Sequence, residues 1–158
     1  MKFIILLSCG RSGSSLVQSL FDMHPQIMQF PGDFRFDHQF VNILDEKDPN
    51  KISQMFCDLN PFFFDSRLQK SFGLIDRHDM LGKNKNEFYK FSKKIFKKNF
   101  IYFFNNSKKN AIDKIISLHK AYAKLSSQSL NKKKIIILHL HGIQYFENFT
   151  NYFSKFHN

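Results

Sequence analysis

The stretch Lys2-Phe3-Ile4-Ile5-Leu6-Leu7-Ser8-Cys9-Gly10-Arg11-Ser12-Gly13-Ser14-Ser15-Leu16 decides how the rest of the chain is read. Phe3 to Leu7 is an unbroken apolar run closed by a Gly/Ser turn. It predicts a strand buried on both faces, as in a parallel sheet. After the turn, Leu16, Val17, Leu20, Phe21 and Met23 recur at helical spacing, behind a cap at Ser12 or Gly13. His24-Pro25 ends that helix, because a residue before proline is pushed out of helical geometry. A strand, a glycine turn and a helix in direct succession make a cradle for an anion. Gly10 and Gly13 let backbone N–H groups turn inward and an oxyanion approach closely. The helix start adds unpaired N–H groups and the positive end of its dipole. Ser12, Ser14 and Ser15 add hydroxyl donors, and Arg11 adds a guanidinium fork that matches phosphate or sulfate.

Outward from this segment, Ile27 to Phe30 reads as a second short strand and Pro31-Gly32-Asp33 as a turn. Phe40, Val41 and Leu44 predict one short helix; Ile52, Met55, Phe56 and Leu59, after Asp48-Pro49, predict another. Residues 60–85 carry no clear pattern. Phe88 to Phe104 predicts a helix with Phe88, Phe91, Ile95 and Phe96 on one face. Ala111 to Leu130 is the longest predicted helix, with an apolar face of Ile112, Ile115, Ile116, Leu118, Ala121, Tyr122 and Leu125. Lys134 to Leu140 is the second strong strand, bounded by Gly142, and Ile143 to Phe156 closes the chain as an amphipathic helix. This order predicts an α/β fold, three-layered α/β/α with a parallel sheet, in one domain over residues 1–158. Ligands of such sheets lie at the carboxyl ends of the strands. Both the Gly10–Ser15 loop and the His139–Gly142 segment fall at such ends.

Composition narrows the partners. The 158 residues are 42% hydrophobic, with 21 Phe and no Trp, and carry a net charge of +11. That charge favours an anionic partner: a nucleotide, a nucleic acid, a sulfated or phosphorylated substrate, or a membrane surface. The Lys93/Lys94/Lys97/Lys98 and Lys132/Lys133/Lys134 clusters read as solvated faces ahead of a dedicated patch. The two cysteines, Cys9 and Cys57, are too few for a disulfide framework and read as reduced, structural side chains, with Cys9 buried at a strand end. A reducing, cytoplasmic setting is expected. The apolar run at the start is shorter than the roughly 7–15 residues of a signal core. No stretch reaches the roughly 18 apolar residues of a membrane span.

The loop departs from the triphosphate pattern Gly-x4-Gly-Lys-Ser/Thr. Ser14 stands where the lysine belongs, Ser8 where the first glycine belongs, and Arg11 sits inside the loop. This argues against ordinary ATP or GTP hydrolysis and disfavours a nucleotide kinase relative. The run Gly10-Arg11-Ser12-Gly13-Ser14-Ser15-Leu16, followed by Leu20-Phe21-Asp22-Met23-His24-Pro25, resembles the sulfotransferase family, its Golgi and bacterial members including the tyrosylprotein sulfotransferases. The resemblance covers residues 1 to about 35 well and the rest weakly. It implies a nucleotide-binding α/β fold related to the P-loop kinases, with 3′-phosphoadenosine 5′-phosphosulfate as sulfuryl donor. It implies that Gly10, Arg11, Ser12, Gly13, Ser14 and Ser15 hold the donor's 5′-phosphosulfate. The acceptor would be a hydroxyl on a carbohydrate, a protein tyrosine or a small alcohol. The family's further strand, with an Arg and a later Ser gripping the 3′-phosphate, has no counterpart here: no arginine follows Arg77. By this resemblance the chain corresponds to the amino-terminal part of the family fold, inactive alone or completed by a second chain or oligomer at the sheet edge.

Candidate catalytic residues follow. In tyrosylprotein sulfotransferases a glutamate soon after the His-Pro pair is the base, with an arginine close behind. Gly32-Asp33-Phe34-Arg35 occupies that neighbourhood, so the resemblance makes Asp33 a candidate base, offset by a couple of residues. A turn aspartate bonding its own backbone is the alternative. His139 and His141 alternate with Leu138 and Leu140, which puts both on one face of the late strand. His141 is the second candidate base, ahead of His139 and His38. The sequence shows no further ligand near this histidine pair, so no metal is expected. The competing class is a non-catalytic anion- or nucleic-acid-binding module working through the lysine clusters.

Overall fold

A computed structural model describes residues 1–9, 13–68, 81, 82, 84 and 86–155. Among them the elements are β1 (Lys2–Ser8), α1 (Ser14–Leu20), β2 (Ile27–Met28), α2 (His38–Asp45), α3 (Pro49–Leu59), α4 (Lys93–Asn105), α5 (Ala111–Leu125), β3 (Ile135–His141) and α6 (Ile143–Ser154). Two short 3₁₀ turns, Pro61–Phe63 and Ser66–Leu68, follow α3. The described strands form one parallel sheet in the order β1-β3-β2. Lys2 to Ser8 of β1 pair in step with Ile135 to His141, and Ile27 and Met28 pair with Ile135 and Ile136.

The alternation of β3 separates two layers. Ile136, Leu138 and Leu140 face a large core built with Phe40 of α2, Phe56 of α3, Phe96, Phe100 and Phe104 of α4, Tyr122 of α5 and Tyr152 of α6. His139 points the other way, to a hydrogen bond with Gln18 of α1. The sheet therefore lies between α1 and the remaining helices, the α/β class expected from the sequence. The abundant phenylalanine is a packing feature. Phe36, Phe40, Phe56, Phe63, Phe96 and Phe100 are all fully buried, each contributing about 1.5–3 kcal/mol of burial. Rings meet edge-on or offset, as in Phe34–Phe40 at 4.4 Å and Phe64–Phe96 at 5.0 Å between centroids, the arrangement their quadrupoles favour.

Several expectations shift. The strand buried on both faces is β3, not β1, whose Ile4 and Leu7 are exposed because β1 sits at a sheet edge. In α1 the expected apolar face turns outward: Leu16 and Leu20 are 66% and 65% exposed, while Ser14, Gln18 and Ser19 are buried. The pull on Gln18, whose amide meets three inward partners, sets that rotation. Helix α4 begins at Lys93, where the Ser92 hydroxyl accepts from Ile95 N–H. Phe88 and Phe91 thus precede the helix, and its buried face is Phe96, Phe100 and Phe104 rather than Phe88, Phe91 and Ile95. Cys9 is exposed, while Cys57 is buried, and burial pushes the Cys57 thiol up to about 12. The Lys132–Lys134 run is not one solvated face. Lys133 is buried and donates from Nζ to the carbonyls of His24 and Ile27, each at 2.7 Å. Among the described residues no helix is long and apolar enough to cross a membrane.

His119 of α5 is buried in the aromatic core, its ring 4.0 Å from that of Phe30. Its Nδ1–H donates to the Ile115 carbonyl at 2.8 Å. Burial lowers its pKa from 6.5 to about 4. Below pH 6.5 the unfolded chain takes up a proton that the folded chain refuses. Stability is therefore lost as pH falls from about 6.5 towards about 4. Replacing His119 with Phe should shrink the difference in unfolding free energy between pH 7 and pH 4.5 by about 2 kcal/mol. Urea unfolding at the two pH values checks this, and an unchanged difference would refute it.

Candidate functional site

The carboxyl ends of β1 and β3 lie side by side, with Ser8 in register with His141. The Gly142 N–H donates to the Ser8 carbonyl at 2.8 Å and locks the two ends together. Each strand gives way to a helix through a glycine with positive φ: Gly13 at 75° before α1 and Gly142 at 116° before α6. Other side chains adopt such angles only with strain, so both turns select glycine.

A third segment reaches the same place. After β2 the chain passes Pro31 and Gly32, and the Phe34 N–H donates to the His139 carbonyl at 2.7 Å. Phe34 is buried against Phe30 and Phe40. That anchor sets Asp33 over the end of β3. Its Oδ1 lies 3.0 Å from His139 Nδ1 and its Oδ2 lies 3.6 Å from His141 Nδ1. The two histidines therefore do share a face, as their spacing predicted.

His139 is 1% exposed, so both ring nitrogens need partners. Nε2 is 3.0 Å from Ser8 Oγ, and Nδ1 is 3.2 Å from Gln18 Oε1. The Gln18 amide has one orientation, because its Nε2 donates to the carbonyls of Phe30 and Gly32, each at 3.1 Å. Its oxygen must then face the imidazole. With the Gln18 and Asp33 oxygens both on Nδ1, the hydrogen of the neutral ring belongs on Nδ1. Nε2 is left to accept from the Ser8 hydroxyl. A hydroxyl, an imidazole and a carboxylate in this order can activate a nucleophile. Here Ser8 is only 4% exposed and holds the ring in place. The accessible end of the chain is Asp33 with His141, whose side chains are 42% and 44% exposed. This pair offers an oxygen and an imidazole nitrogen for taking a proton from a bound hydroxyl.

The other predicted site residues are less concentrated. Gly10, Arg11 and Ser12 lie outside the described residues. Gly13 is the residue before α1, and among the described residues no side chain caps that helix. Ser14 is buried and Ser15 exposed. His38 opens α2 on the surface, outside the Asp33 cluster. Sequence reasoning overlooked Ser8 and Gln18. The available signal was Gln18 itself, a polar residue amid the apolar positions of α1.

No family model, curated protein or solved structure matches the chain. The site's own chemistry is therefore what indicates its use. A buried polar node of this kind also contributes to stability. Gln18→Leu removes the amide's hydrogen bonds to the carbonyls of Phe30 and Gly32 and to the His139 ring. It should lower unfolding free energy by about 2–4 kcal/mol. Chemical denaturation measures this, and a loss below about 0.5 kcal/mol would show that the node is not holding the site.

Proposed function

We propose that the chain is sulfotransferase-like, moving a sulfuryl group from 3′-phosphoadenosine 5′-phosphosulfate to a hydroxyl acceptor. The observation that carries this reading is the meeting of Asp33 and His141 at 3.6 Å beside Ser8, the last residue of β1. The Gly10–Ser15 segment starts two residues after Ser8. Its Arg-Ser-Gly-Ser-Ser run resembles the family's phosphosulfate loop. A proton acceptor and an anion-binding motif are thereby tied to adjoining strand ends, where α/β sheets take their ligands.

Each group has a role in that reaction. Arg11 and the loop amides neutralise the oxygens of the transferring group. Asp33 accepts the proton as the acceptor oxygen attacks sulfur, His141 stands beside it to pass that proton on, and His139, through its bond to Asp33, positions that carboxylate. The new oxygen–sulfur bond forms as the bond from sulfur to the 5′-phosphate oxygen breaks. The leaving group is 3′-phosphoadenosine 5′-phosphate, whose 5′-phosphate departs as a stable dianion that needs no protonation. Lys93, Lys94, Lys97 and Lys98 play no part, in line with Lys97 bonding Gln54 and Lys93 lying 5.9 Å from the Phe64 ring.

The adenosine product separates the readings. At 100 times its dissociation constant, 3′-phosphoadenosine 5′-phosphate should stabilise the chain by about 2.7 kcal/mol, with a smaller effect from ATP. Thermal unfolding reads this out. Arg11→Ala should abolish the shift, and Lys93→Ala with Lys94→Ala should leave it intact. An equal shift with ATP, or one lost with the lysines and kept without Arg11, would refute the proposal. In a sulfuryl-transfer assay with a phenolic acceptor, Asp33→Asn should cut turnover about 10²–10⁴-fold while product binding persists.

A further inference from the structure

Asp33, His139 and His141 each offer a metal-ligand atom, and these atoms all lie within 4.8 Å of one another. His139 Nδ1 lies 3.0 Å from one Asp33 oxygen, Oδ1, and His141 Nδ1 lies 3.6 Å from the other, Oδ2. Ligands about 2.0–2.1 Å from a tetrahedral ion sit about 3.3–3.4 Å apart, a spacing that the two histidine–carboxylate distances bracket. We propose that Asp33, His139 and His141 form a binding site for a zinc-class divalent transition-metal ion.

Three features favour an ion over a chance cluster. First, the ligands are set by backbone rather than by floppy surface chains. His139 and His141 project from one face of β3, and Asp33 is fixed by the Phe34 N–H bond to the His139 carbonyl. Second, the outer nitrogen of the buried ring is served. With Nδ1 on the ion, the ring gives up its bond to Gln18 Oε1, and the single hydrogen of the neutral imidazole moves to Nε2, where Ser8 Oγ accepts it at 3.0 Å. A bonded remote nitrogen orients metal-binding histidines and raises their basicity. Third, the site is half open. His139 is buried, Asp33 is half-buried and His141 is exposed, which leaves at least one coordination position to water or a ligand hydroxyl. Three protein ligands with an open position is the arrangement of catalytic rather than structural zinc.

The donor set chooses the ion class. Two imidazoles and one carboxylate suit zinc and its first-row neighbours, whereas magnesium and calcium select oxygen ligands. The sequence offered only the His-x-His pair. The third ligand comes from a distant turn that the fold alone delivers. The site stands on its own geometry and not on the sulfuryl-transfer reading. Because Asp33 and His141 cannot bind an ion and accept a proton at the same atoms, a bound ion would replace their direct role as base. It would instead lower the pKa of a hydroxyl in its open position.

Calorimetric titration of the full chain with zinc, after chelator treatment and dialysis, tests the proposal. One zinc per chain is expected, with magnesium giving no binding. His141→Ala and Asp33→Asn should each weaken zinc at least ~100-fold, since even outer partners are worth 10–100-fold. The exposed His141 can be replaced without disturbing the core, and circular dichroism of that variant verifies its fold. Cys9→Ser should leave binding unchanged, which distinguishes this site from thiolate capture at the exposed Cys9. Cobalt gives a second readout: a visible d–d band at one equivalent, lost in His141→Ala. Absence of a saturable site, or one that survives His141→Ala or disappears in Cys9→Ser, would overturn the proposal. Binding of 3′-phosphoadenosine 5′-phosphate measured in chelator is a separate result, so either reading can fail while the other holds.

Discussion

A buried imidazole must have its nitrogens occupied, and satisfying His139 draws four segments of the chain to one point. Ser8 comes from the end of β1, Gln18 from α1, Asp33 from the turn after β2, and the ring itself from β3. The cost of an unpaired polar group in such surroundings is about 1–3 kcal/mol, so the partners are not interchangeable. Gln18 pulls the polar side of α1 inward, and the rotation of that helix follows. Its leucines and valine then face out. The path of the turn carrying Asp33 is fixed by the same node, through two carbonyls on the Gln18 amide and one backbone bond to β3.

The opposite face obeys a simpler rule. There the packing is aromatic, and size and shape decide. The described lysines that enter the interior, Lys114 and Lys133, do so where carbonyls await them. Lys133 ties the turn after α1 and the start of β2 to the approach to β3. Lys114 reaches the carbonyls of Leu44 and Glu46 at the carboxyl end of α2, where unpaired acceptors are expected. Burial lowers the pKa of both amines. Part of the large positive charge thus serves as internal hydrogen-bond donors and is unavailable to a polyanion.

Much of this was legible in the residues. The apolar runs of β1 and β3, the breaks at Gly13 and Gly142, and the helices α2, α3, α5 and α6 follow from periodicity and turn chemistry. The shared face of His139 and His141 follows from strand alternation. What escaped depends on tertiary position. Apolar content cannot distinguish a central strand from an edge strand, so β1 and β3 look alike until their order in the sheet is known. Spacing located the apolar residues of α1 but not which side faces the sheet, because a single glutamine outweighed three aliphatic side chains. The Phe88–Phe104 run continued a helical pattern through Ser92, whose hydroxyl starts the helix later. Asp33 was found by resemblance to a family motif; its contact with both histidines depends on long-range structure.

The sheet order also governs when the molecule can assemble. Both outer strands hydrogen-bond to β3, yet β1 begins at Lys2 and β3 at Ile135. Helices α2 to α5 can form from local contacts beforehand, but the first strand has no described partner in the sheet until the last has been made. Pairings across so wide a separation in sequence carry a large loop-closure cost and slow the search for the native state. On the ribosome, the apolar run Phe3–Leu7 would wait for the synthesis of Ile135–His141 before pairing with its strand partner. That interval is when a nascent strand is most vulnerable to pairing with the wrong edge.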